Sequence, residues 1–216
     1  MDNDIARNIL IASIAAAPAV GGPIAFLLDK YLPSDAENRK KQYIETLAKE
    51  IDELKDSIKI ENLETEEFKT IFIRLLKESI EEHREEKLSA FRKLTLNIAL
   101  QPYEFNKVDF YTRLVISMVP DQIVILHVFY RLDVTKELAY LDKEEERKLA
   151  TILNKLKIYM PTEYRIALVS DLMIMRLVSS NEASHKKQKR SGQFLTELGE
   201  DFCRYIFEKQ EIFNEQ

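Results

Sequence analysis

Apolar positions recur at helical spacing along most of the chain. Phe68, Ile71, Phe72, Leu75, Leu76 and Ile80 trace one helix face, with Ser79 on it. Thr65 stands before them as an N-cap, and Glu66 and Glu67 suit the positive end of the helix dipole. Ile44, Leu47, Ile51, Leu54 and Ile58 form a short heptad seam, read as the core face of an amphipathic helix that Ser34 or Asp35 can cap. Leu88, Phe91, Leu94, Thr95 and Ile98 make another stripe, which ends before Pro102 because the residue before proline disfavours helix. Between these stripes the run EEHREEK, residues 81–87, reads as solvated chain between helices or on a helix exterior. Further helices are predicted over 108–119, 121–132 and 143–158, the last with Leu149, Ile152, Leu153 and Leu156 inward. The segment DQIVILHVFYRL is apolar nearly all round and rich in β-branched residues; its place after Pro120 selects helix over strand.

One run breaks this pattern. ILIASIAAAPAVGGPIAFLL, residues 9–28, carries no charge. Pro18, Gly21, Gly22 and Pro23 interrupt it, so it reads as a hairpin of two short helices, about Asp4–Ala17 and Ile24–Leu32. Neither piece reaches the roughly 20 residues that a bilayer crossing needs. The small residues Ala12, Ser13, Ala15, Ala16 and Ala17 allow close helix packing. Ile9, Leu10, Ile14, Val20, Ile24, Phe26 and Leu27 are the candidate interface residues. Burial in the fold or an oligomer seam is the favoured reading, with membrane contact as its rival. MDNDIAR lacks the positive start of a signal peptide.

Composition narrows the classes. The 216 residues carry a formal charge of −5, so a nucleic-acid contact would need a local basic patch. Four Gly and six Pro favour helices over a turn-rich β fold. A single Cys, Cys203, excludes an internal disulfide and any multi-cysteine zinc site, and suits a cytoplasmic protein. No phosphate-cradling glycine loop occurs. His83, His127 and His185 lie far apart; His83 and His185 read as exposed and His127 as a satisfied core histidine. Cys203 reads as buried. No cofactor, metal site or catalytic residue is expected.

The C-terminal third has a more specific order. TEYRIALVSDLMIMRLVSS is followed by the basic loop NEASHKKQKR and then by SGQFLTELGEDFCRYIF. This resembles the second half of a winged helix-turn-helix, with strands over 177–179 and 193–196 and Thr196 capping the last helix. The fold class expected is mainly α, with a helical N-terminal region and a winged-helix-like C-terminal domain bearing a small β-hairpin. The domains expected are 1–33, 34–105 and 106–216. Lys186, Lys187, Lys189 and Arg190 at the loop, with Arg165 on the helix before it, are the candidate nucleic-acid contacts. Glu163 and Asp171 on that same helix oppose a role in reading base edges.

The ordering of an apolar start, an acidic helical middle ending in FRKLTLNIAL, VPDQIVIL and finally LTELGEDF resembles the abortive-infection alpha-type proteins of bacteria. The middle helices lack that family's Asn-rich helix end, apart from Asn97, and no functional residue carries over. The resemblance implies a setting in anti-phage defence. Three functions follow as expectations. The favoured one is a non-catalytic interaction or assembly subunit, binding a protein partner or another copy of itself. The alternatives are a winged-helix DNA-binding regulator and a membrane-inserting toxic effector that uses residues 5–28.

Overall fold

The computed structural model describes residues 38–54, 58, 60–100, 104–138, 149–180 and 194–208. The apolar run at residues 9–28, His185 and the basic loop with Lys186, Lys187, Lys189 and Arg190 lie outside them. The described chain is mainly helical with one small antiparallel hairpin. It divides into two compact units, one ending at Ser117 and resuming at Glu208, the other Met118–Phe207.

The first unit contains α1 (Asn38–Glu53), α2 (Ile60–Glu64), α3 (Glu66–Glu81), α4 (Glu85–Leu100) and α5 (Phe105–Ser117). The N-cap of α3 is as expected: the Phe68 N–H donates to Thr65 Oγ1 at 3.1 Å. Phe68, Ile71, Phe72, Leu75 and Leu76 are buried, and the Phe68 and Phe72 rings stack at 5.9 Å. Helix α4 is the centre of the unit and packs on α1, α2, α3 and α5. Every residue from Leu94 to Leu100 is therefore buried, where the sequence pattern predicts only a stripe. Within this stretch Thr95 and Asn97 find partners inside. Thr95 Oγ1 donates to the Phe91 carbonyl at 2.9 Å, and Asn97 Nδ2 donates to the Glu208 carbonyl at 2.9 Å.

The EEHREEK run does separate two helices, but side chains fix it. Glu82 Oε1 accepts the backbone N–H groups of His83 and Arg84 at 2.8 and 2.9 Å. Lys87 Nζ donates to the Ile116 carbonyl at 2.8 Å. Helix α5 packs on α3 and α4 and belongs to this unit, whereas the domain expected from the sequence begins at residue 106.

The second unit contains α6 (Pro120–Asp133), α7 (Leu149–Lys155), α8 (Thr162–Ile174), β1 (Val178–Ser179), β2 (Phe194–Leu195) and α9 (Glu197–Phe207). The 120–133 segment is a helix, with proline at its first position. Helix α6 is its core, packed by α8, α9 and β2. The strands pair with Val178 opposite Leu195 and Ser179 opposite Phe194. The Leu195 N–H donates to the buried Asp133 Oδ2 at 3.0 Å, which ties the hairpin to the end of α6. Among the described residues no single helix is long and apolar enough to cross a membrane.

Candidate functional site

The LTELGEDF segment builds the corner that holds α8. Thr196 Oγ1 accepts the Gly199 N–H at 2.9 Å as the N-cap of α9, and donates to the Arg176 carbonyl at 2.6 Å. The Thr196 N–H donates to the Leu177 carbonyl at 3.0 Å. A Cβ on Gly199 would lie 2.0 Å from that same carbonyl oxygen, so only glycine permits the approach. Phe202, Cys203 and Ile206 face the core from α9.

The preceding helix ends in a matching way. Arg176 has φ 60°, in the left-handed region that favours glycine. Its N–H donates to the Met173 carbonyl and the Leu177 N–H to the Leu172 carbonyl, both at 3.0 Å, which is the Schellman closure. A cation at this end complements the negative end of the helix dipole.

Helix α8 lies on the core through Leu168, Val169 and Leu172. Gln122 and Asp121 fix its rotation from α6. The buried Gln122 accepts the Val119 N–H at 3.0 Å and donates Nε2 to Asp171 Oδ2 at 3.4 Å. Tyr164 Oη donates to Asp121 Oδ2 at 3.1 Å. The opposite side of α8 is therefore turned out. Glu163, Ile166, Ala167, Ser170 and Ile174 share that side at helical spacing, and all are exposed. Ile166 is 59% and Ile174 80% accessible, and Tyr159, just before the helix, is 86% accessible. Asp171 flanks this stripe. A lone exposed isoleucine is ordinary, but a row of them on one helix side marks a surface for contact.

This stripe is what the sequence reading missed. Both sides of this helix carry apolar residues, so periodicity alone does not separate the side that faces out. Arg165, proposed as a phosphate contact, is half-buried and sits off the stripe.

His127 is a correction. It is exposed, not a core residue, because Phe207 covers only one side of its ring, at 4.7 Å between centroids. Partial desolvation, then the nearby Arg131 charge, lowers its pKa below the usual 6.5. Cys203 is buried, and burial, then Asp133 and Glu200, push its thiol well above the ordinary range. A protonated, enclosed thiol is a poor nucleophile.

Among its described residues the first unit holds a buried charged cluster. Arg92 pairs with Glu85, lies with Nε 3.5 Å from Glu50 Oε1, and places its guanidinium 5.7 Å from the Tyr43 ring centroid. Arg92 Nε and Glu50 Oε2 are buried without a hydrogen bond. Desolvation raises the Tyr43 pKa against the opposing pull of Arg92. These groups join α1 to α4. Among the described residues no group of three or more His, Cys, Asp or Glu could hold a metal ion.

No family model matches the chain, and neither a curated protein nor a solved structure matches it significantly.

Proposed function

We propose that the second unit is a winged-helix-like module adapted to bind protein, and that the chain is a non-catalytic interaction or assembly subunit. Three helices, a two-stranded hairpin and a closing helix follow one another in the order of that fold. The observation that carries the functional reading is the outward side of α8. In a DNA-reading module this helix needs Arg, Lys, Asn or Gln aimed at base edges. Here it offers Ile166, Ala167, Ser170 and Ile174 with the acidic Glu163 and Asp171, which suit a protein surface and repel phosphate. The setting in anti-phage defence rests on the family resemblance alone.

A duplex titration tests the reading against the regulator alternative. Binding at low salt should be weak, equal for unrelated sequences and unchanged by Ile166→Ala and Ile174→Ala. Sequence-specific binding that those two substitutions abolish would replace the protein-docking reading with a DNA-reading one.

A further inference from the structure

The outward stripe of α8 is self-complementary. Ile166 and Ile174 stand four positions either side of Ser170, with Ala167 beside that centre. A two-fold axis through Ser170 sets Ile166 of one helix against Ile174 of an antiparallel copy, twice, with small side chains where the backbones approach. The charges at the two ends of the stripe follow the same symmetry, while Asp171, on its flank beside the axis, is hydrogen-bonded by Gln122. Glu163 stands at the N-terminal end of the stripe and Arg176 just beyond its C-terminal end, and both are exposed. Antiparallel docking brings Glu163 of each copy towards Arg176 of the other, whereas a parallel pair would set Glu163 against Glu163. Among the described residues neither side chain makes an ion pair within its own chain. Arg176 also holds its left-handed position at a conformational cost that glycine would avoid.

We infer that a second copy of this chain docks antiparallel on the outward face of α8, through Ile166 and Ile174 about Ser170, with Glu163 paired to Arg176 across the seam. This rests on the docking reading of α8 above. A seam of one 13-residue helix is smaller than a standard interface of roughly 1,600 Å², so the association is weak and is best read by trapping.

Ser170→Cys in the full chain puts a thiol on the axis, facing its own copy. Mild oxidation should link it into a dimer. Glu163→Cys should not self-link, because its two copies lie about 20 Å apart along an antiparallel seam. The native Cys203 is buried and stays out of the reaction. In sedimentation, Glu163→Arg and Arg176→Glu should each weaken self-association about tenfold, and the two together should restore it. Arg176→Gly should weaken association while leaving resistance to urea equal or higher, which separates docking from folding. Equal linking at positions 163 and 170, or no linking at 170 with sedimentation unchanged in the charge variants, overturns the second-copy seam. If a photo-reactive residue in place of Ile174 then still captures another protein, the docking reading stands without it. If that probe captures no protein, both are lost.

Discussion

Gly199 and the carbonyl of Leu177 are in contact that no side chain could share: a Cβ at position 199 would meet that oxygen at 2.0 Å. The carbonyl belongs to backbone that already accepts the Thr196 N–H, so it cannot move aside without breaking the corner. Gly199→Ala should therefore cost about 3 kcal/mol or more, an overpacking penalty at the upper end for one methyl group. Thr196→Ala removes the α9 cap and should cost about 1–2 kcal/mol. Urea denaturation checks both, and near-equal stabilities of Gly199→Ala and wild type would refute this account of the corner.

Arg92 holds α1 to α4 from a buried position where its partner Glu50 already has one oxygen without a hydrogen bond. Removing the cation alone leaves that carboxylate uncompensated. Arg92→Ala should cost about 3–5 kcal/mol, and Arg92→Met combined with Glu50→Gln should recover most of it. A double variant no more stable than Arg92→Ala would show that packing of the guanidinium stem, not charge, is the larger contribution.

Cys203 gives a pH dependence with a defined sign. The unfolded thiol titrates near its ordinary value of 9.0, while the buried thiol holds its proton to higher pH. Between the two the folded state binds more protons. The Cys203 contribution is thus full below pH 9.0 and falls as pH rises beyond it. Cys203→Ala should lose this alkaline fall, so its stability deficit against wild type should shrink as pH rises from neutral to alkaline. A thiol reagent should label Cys203 in the native chain only as fast as the chain opens.

What was legible in the sequence was short-range chemistry. Thr65 and Thr196 were readable as caps because capping joins residues a few positions apart. The hairpin ends and the helix after Pro120 were readable for the same reason. Long-range contacts were not. Nothing near Gly199 in sequence shows that Leu177 will press against it. The complete burial of Leu94–Leu100 follows from four neighbouring helices, which periodicity within α4 cannot count. His127 sits in an apolar run, yet burial depends on how far α9 reaches over it. Ile166 and Ile174 were hidden because α8 is apolar on both sides, and only the ties from Gln122 to Asp171 and from Tyr164 to Asp121 decide which side turns out.

The central claim is that the outward side of α8 meets a protein, and the most direct measurement is photo-cross-linking in cells. A photo-reactive amino acid is placed at Ile174 of the full chain, with a control at the exposed Asn154 on α7. The account predicts a light-dependent protein adduct, with this chain or another, from position 174 and not from position 154. No protein adduct at 174, or an adduct with nucleic acid in its place, would contradict it.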